Sequence, residues 1–341
     1  MRLFSKIRQM IRRDKMEAVG PAVGPAVGLI ESKSLVESVN LVESVNLVEA
    51  IQSLQKNSIR ITFNMTANQE CPIGCSKIGG KPDLPADFNW FYYEGKSYTD
   101  HEGEYNENGI VRNRPLSFLA QINCEEVHEF DTEKALPSKG MLYFFYELES
   151  MAWGFCPEDR GSARVYFFSG ATSELHRTDF PWDLPNEYPQ EFHLPELEIS
   201  FSSESETPDF DEFIQLQDGL DNLELKDYFA LYDKYYAAKG DLRDVSINKL
   251  LGYANLIQNG MLMECELTTN GIRADSPDGY ANASAEQKEN AKNWRLLFQM
   301  ESISTNEYEM LWGDMGRIYF YIKNEDLQNL NFEDCWLILQ C

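Results

Sequence analysis

At 341 residues, with 43% hydrophobic and 13% aromatic content, the chain is long and apolar enough to bury one large core or two smaller ones. Its 30 Lys and Arg against 56 Asp and Glu give a formal net charge of −26, which repels nucleic-acid phosphates and argues against direct nucleic-acid binding. Seven scattered cysteines, an odd number, make no disulfide framework in a chain this long and point to a reducing, cytoplasmic setting.

The first residues carry Arg2, Lys6, Arg8, Arg12, Arg13 and Lys15 against Asp14 alone, with Leu3, Phe4, Ile7, Met10 and Ile11 at helical spacing. A basic amphipathic helix over residues 1–15 can touch an anionic membrane surface, but a short terminal helix that frays or packs on the acidic body is the stronger expectation. No apolar run reaches the ~20 residues of a membrane-spanning helix. Pro-Ala-Val-Gly then repeats at 21–24 and 25–28, and Leu-Val-Glu-Ser-Val-Asn at 35–40 and 41–46. A period of six walks an apolar stripe around a helix, so residues 16–50 read as a linker without chemistry. Residues 1–56 are therefore set apart from a domain over 57–341.

From Asn57 the texture is globular. Ile59–Phe63 alternates as a strand before the Gly- and Pro-rich stretch Cys71–Pro85, where Pro82 and Pro85 predict a rigid extended segment crossing the surface of the core. Density of β-branched and aromatic residues between turns predicts strands at Leu142–Tyr146, Ala163–Phe168, Met261–Leu267, Leu296–Met300, Arg317–Ile322 and Trp336–Leu339. Helices are expected at Leu223–Ala238, ended by Gly240, and at Ala285–Asn293 behind a Ser284 cap. Strands outnumber helices without alternating with them, which predicts an α+β fold with mainly antiparallel strands and flanking helices.

The chain also echoes itself. Lys77-Ile-Gly-Gly80, Phe118-Leu-Ala-Gln121 and Gly140-Met-Leu-Tyr-Phe-Phe145 recur in order as Lys249-Leu-Leu-Gly252, Leu296-Leu-Phe-Gln299 and Gly316-Arg-Ile-Tyr-Phe-Tyr321. This predicts an internal duplication, with units at about 57–170 and 245–341 joined by an acidic segment. Together with Ser76–Pro85, Leu116–Asn123, Trp294–Gln299 and Met310–Phe320, these motifs resemble the YwqG-like family, a domain of unknown function numbered 1963. The resemblance runs from about Ser58 to Cys341. It implies a duplicated α+β domain and carries over no reaction, cofactor or catalytic residue.

The motifs specify no reaction. Lys77-Ile-Gly-Gly-Lys81 lacks the spacing of a phosphate loop and the third glycine of a dinucleotide fingerprint. Cys71 and Cys75 have a spacing open to two metal ligands, but no second pair accompanies them, so free thiols are expected and no metal or cofactor. His101, His128, His176 and His193 lie beside no nucleophile signature. Asp314, in Trp312-Gly-Asp-Met-Gly316, is more readily a turn residue bonded to backbone N–H groups than a ligand group.

Two functions follow. Glu187–Asp233 holds fourteen acids and one Lys, −13 of the total −26, so the leading expectation is a non-enzymatic module whose acidic face engages a basic protein partner, in the manner of an immunity protein. The alternative is a small-molecule or hydrolytic site in a groove between the repeats, lined by Gln121, Trp294, Gln299, Trp312, Asp314 and Arg317. Leu225, Phe229 and Tyr232 supply a core-facing stripe beneath the acids.

Overall fold

Strands dominate because apolar residues run in short stretches broken by Gly, Pro and Asn, too short for helices and rich in aromatic residues. In the computed structural model, residues 49–64, 70–99, 105–181, 194–217, 247–304 and 309–341 are described. The chain divides into two units, Met1–Ala50 and Ile51–Cys341. The expected helices at 1–15 and Leu223–Ala238, and nearly all of the repeat-bearing linker, lie outside the described residues.

The strands are β1 (Lys56–Asn64), β2 (Lys77–Ile78), β3 (Asp83–Pro85), β4 (Tyr92–Thr99), β5 (Tyr105–Pro115), β6 (Ser117–Asn123), β7 (Met141–Tyr146) and β8 (Ala163–Phe168). They continue as β9 (Leu175–Arg177), β10 (Leu197–Glu206), β11 (Lys249–Leu251), β12 (Trp294–Glu301), β13 (Ile303–Ser304), β14 (Glu309–Met310), β15 (Arg317–Lys323) and β16 (Trp336–Gln340). Ten form one antiparallel sheet in the order β16-β15-β12-β11-β1-β10-β2-β6-β7-β8, and the others form two-stranded ribbons. This is the expected sheet-rich α+β class.

The sheet is nearly closed. Phe144 of β7 meets Phe298 of β12 and Phe320 of β15 with ring centroids 4.5 and 5.2 Å apart. Near the edge strands β8 and β16, Phe167 lies 5.5 Å from Phe332, and Leu339 N–H donates to Trp153 O at 3.0 Å. Curling buries both faces of β7 and β15, so Met141–Tyr146 is apolar throughout instead of alternating. Tyr143 and Phe145 point away from Phe144 into a second cluster with Tyr93, Leu116 and Phe118.

Pro82 and Pro85 flank an extended segment as expected, but Asp83–Pro85 is a fully buried strand paired with β9, not a surface crossing. Met261–Leu267 is likewise not a strand. Leu262–Thr269 is a helix, and with Cys124–Val127, Phe210–Leu216, Pro277–Ala281, Ala285–Ala291 and Asn324–Gln328 it completes a series labelled α1 to α6 in chain order, in which it is α3. Leu, Met and Glu favour a helix. α3 is buried at Leu262, Glu264, Cys265, Glu266, Leu267 and Thr268, which erases the one-sided period that would have revealed it. It ends in a Schellman arrangement, with Gly271 at φ +82°, its N–H on Thr268 O and Ile272 N–H on Leu267 O. α5 starts as expected: Ser284 Oγ accepts from Gln287 N at 3.1 Å and Gln287 Oε1 accepts from Ser284 N at 2.8 Å.

Candidate functional site

The two glutamines of the echoed motif occupy matching places on either side of the sheet. Gln121 lies opposite Lys77 and Tyr143, and Gln299 opposite Lys249 and Tyr319. Both are fully buried. Gln121 donates to Cys75 O and Asp83 Oδ2, each at 2.8 Å, and accepts from Asp83 N at 2.8 Å. Gln299 donates to Ile247 O at 2.6 Å and Asn255 Oδ1 at 3.0 Å, and accepts from Asn255 N at 2.9 Å. Each amide thus pins a loop by its backbone, and both its N–H donors are spent within the protein. The lysines repeat the pattern: Lys77 Nζ bonds Glu196 Oε2 at 2.8 Å and Lys249 Nζ bonds Glu206 Oε1 at 2.7 Å. Glycine is required at 80 and 252, at φ +67° and +72°, with those same carboxylates against the space a Cβ would need.

The six residues expected to line one groove are not brought together. Gln121 and Gln299 are separated in the sheet by β11, β1, β10 and β2. Arg317 joins Gln299 at Asn255, whose carbonyl accepts from Arg317 Nη1 at 2.9 Å. Trp312 is buried 6.2 Å from Tyr146, and its Nε1 has no hydrogen-bond partner among the described residues. Asp314 is exposed at a turn where Gly313 and Met315 take positive φ and Gly316 N–H closes on Trp312 O at 2.7 Å. Trp294 donates through Nε1 to Glu266 Oε2 at 3.0 Å and lines a cleft.

That cleft encloses about 210 Å³ including its open mouth, between β1, α2, α3 and β12. Its interior has room for about one water molecule. Lys56, Glu212 and Arg295 supply its charges, Leu216, Leu262 and Leu296 its apolar wall, and Tyr253 and Trp294 its aromatic faces. Another cleft of about 290 Å³ lies between the edge strands β8 and β16. There the polar groups are engaged: Asp159 accepts from Gly154 N, Arg160 donates to Thr269 O, and Arg164 to Glu333 O.

Around Trp294 they are not. Glu212 is 1% exposed; its Oε1 accepts from Tyr321 OH at 2.9 Å, while Oε2 has no hydrogen-bond partner among the described residues. Nor do Arg295 Nε and Nη2, although Nη2 lies 3.6 Å from Glu133 Oε2. Lys56 Nζ stands 4.6 Å above the Tyr253 ring. Burial pushes the Glu212 carboxyl up to about 7 and Asp209 adds to the shift, against the Tyr321 hydrogen bond, Lys56 and Lys249. Burial, reinforced by Arg295, lowers Lys56. An acid poised near neutrality beside two cations, with unsatisfied hydrogen-bonding atoms on Glu212 and Arg295, suits a small polar guest.

Sequence reasoning missed Glu212 because it sits in an acidic run that reads as solvated surface. The available signal was Asp209-Phe-Asp-Glu212, a pattern resembling a capping box, followed by Phe213. Asp209 instead accepts from Leu256 N at 3.2 Å and Glu212 from Tyr321, so both carboxylates are diverted into tertiary contacts. Glu196 and Glu206 from the same acidic segment are likewise consumed by Lys77 and Lys249.

All seven cysteines are free, and burial raises the Cys75 and Cys124 thiols to about 12, unlike a reactive thiolate. Among the described residues no group of three or more His, Cys, Asp or Glu is placed to hold a metal, and no helix is long and apolar enough to cross a membrane.

The fold and its internal pins define a sheet-rich α+β protein with a polar cleft beside its central strands. The chain belongs to the family described as domain of unknown function (DUF1963), whose model matches residues 76–341. No curated protein matches the sequence.

Proposed function

We propose that this is a binding protein whose cleft beside Trp294 receives a small polar molecule. The observation that carries this reading is the presence of buried polar atoms without a hydrogen-bond partner among the described residues, Glu212 Oε2 and Arg295 Nε, on two residues that line one cleft. Such atoms each cost about 1–3 kcal/mol when unsatisfied, which favours a guest or water that bonds them. The test is a ligand-observed NMR screen of small polar compounds against the full chain and against Leu216→Trp, which fills the mouth from a half-buried position. Compounds binding the wild type and a folded Leu216→Trp equally would refute the reading.

The unpaired thiols support a cytoplasmic setting, and the matched pins at Gln121 and Gln299 support an internal duplication. The Lys-to-Gly spacing and the lysine–glutamine registers match, each lysine meets a carboxylate of the segment between the repeats, and a β-bulge interrupts each pairing next to its glutamine, between Phe118 and Ala120 and between Leu296 and Phe298.

A second reading is a basic protein partner, favoured by the net charge of −26 and its concentration in Glu187–Asp233. Pull-down from lysate at low and high salt tests it, and recovery of no basic partner at either salt counts against it.

A further inference from the structure

We propose that Cys71 and Cys75 are a redox-sensitive pair, which a small-molecule disulfide such as oxidised glutathione converts to an internal disulfide that clamps the loop held by Gln121. The inference stands apart from the Trp294 cleft.

The sequence places the two thiols on either side of Pro72-Ile-Gly74, and a tight turn brings them together. Cys75 N–H donates to Pro72 O at 3.3 Å, with Gly74 at φ +80°. The thiols are hydrogen-bonded to each other, whereas Cys124, Cys156, Cys265 and Cys335 have no such partner among the described residues. The backbone around the pair is fixed on both sides. Cys71 N–H donates to Glu196 Oε1 at 2.6 Å, and Cys71 O accepts from Arg177 Nη2 at 2.7 Å. Gly74 N–H donates to Asp83 Oδ2 at 3.0 Å, Gly74 O accepts from Asn123 Nδ2 at 2.8 Å, and Cys75 O accepts from Gln121 Nε2 at 2.8 Å. With both ends held, the second thiol stands at high effective concentration toward a mixed disulfide on the first, so an internal bridge is favoured over a second adduct.

Access sets the order of events. Cys71 is 6% exposed, Cys75 is half-buried and Ile73, at the tip of the turn, is 54% exposed, so the oxidant meets Cys75 first. Cys75 loses its proton to solvent, and its thiolate attacks one sulfur of the small disulfide, expelling one thiolate that takes up a proton. Cys71 then loses its proton, attacks the Cys75 sulfur and expels the second thiolate. Two protein thiols are oxidised, and one small disulfide is reduced to two thiols. Burial raises both protein thiols, Cys75 to about 12; Glu196 adds to the shift at Cys71 and Glu126 at Cys75, and Lys77 opposes both. Exchange is therefore slow. The product is not disfavoured, because a weakly acidic thiol leaves slowly and the closed bridge resists reopening. The bridge acts on one half of the echoed pattern. Ile247, which like Cys75 lies two residues before its lysine, accepts from Gln299 through its carbonyl but carries no thiol.

The experiment equilibrates the full chain in mixtures of reduced and oxidised glutathione, approached from both sides at mildly alkaline pH. The mixtures are quenched in acid, the remaining thiols are alkylated in denaturant, and tryptic peptides are weighed by mass spectrometry. Cleavage after Arg60 and Lys77 puts both thiols on one peptide, Ile61–Lys77, with no other cysteine. In the native chain that peptide is expected to lose two hydrogens and gain no alkyl group. Its half-oxidation is expected at a ratio of oxidised to reduced glutathione about tenfold lower than in the chain unfolded in urea. By linkage the oxidised chain is expected to melt about 2–4 °C above the reduced one. Cys71→Ser is expected to leave Cys75 as a glutathione adduct and to abolish the melting shift. Two alkyl groups or two glutathiones on the peptide in the most oxidising mixture would overturn the proposal, as would a bridge from either thiol to another peptide. So would equal midpoints for the native and unfolded chains.

Discussion

Replacing Glu212 by Gln should make the protein more stable at alkaline pH and change it little in acid. Glu212 is fully buried, and burial raises its carboxyl from 4.5 to about 7. A group whose folded value is raised stabilises the native state below its unfolded value and loses that contribution as pH rises through the folded one. Each pH unit separating the unfolded and folded values is worth about 1.4 kcal/mol, so the loss totals roughly 3 kcal/mol, of which about 2 falls between pH 5.5 and 8.5. Gln is isosteric, still accepts from Tyr321 OH through its carbonyl, and does not ionise. Urea unfolding followed by tryptophan fluorescence at pH 5.5, 7 and 8.5 measures the difference between variant and wild type. The variant should gain on the wild type by roughly 2 kcal/mol across that range with unchanged denaturant slopes. A difference constant with pH would show that Glu212 titrates alike in both states, refuting the assignment of a desolvated acid.

The matched pins make further predictions. Lys77→Met and Lys249→Met each strip a cation from a largely buried carboxylate and should cost similar amounts, about 3 kcal/mol, in chemical denaturation. Gly80→Ala, at φ +67° with Glu196 in the way, should lower stability by roughly 1–3 kcal/mol, visible as a drop in melting temperature. Arg114→Met should cost about 3–5 kcal/mol, because Arg114 is fully buried and donates to Glu147 Oε1 at 2.8 Å and to the backbone of β4 at Gly95 and Lys96. Phe144→Ala empties the contact between β7 and the β12–β15 pair and should cost about 3–5 kcal/mol by urea titration.

The strands that aromatic and β-branched residues mark between turns, β7, β8, β12, β15 and β16, were legible in the sequence to within a residue or two, because the driving pattern is local. So was the cap at Ser284, which needs only the hydroxyl and Gln287 three residues on. Helix α3 was not, because burial on every side hides the period that separates helix from strand. The candidate site was legible only through Trp294. Gln121 and Gln299 stand out in the sequence, but an amide that pins a loop and an amide that binds a ligand are the same letters. Glu212, Lys56 and Arg295 come from α2, β1 and β12, separated by long stretches of chain, and only the placing of β1 and β12 on either side of β11, with α2 packed beside them, makes them line one cleft. By itself the sequence determined the acidic charge, the sheet-rich class and the positions of the echoed motifs, since composition and short-range pattern suffice for these. The tertiary structure alone decided which carboxylates are neutralised by lysines and which one is left desolvated beside two cations, because burial and distance depend on contacts remote along the chain.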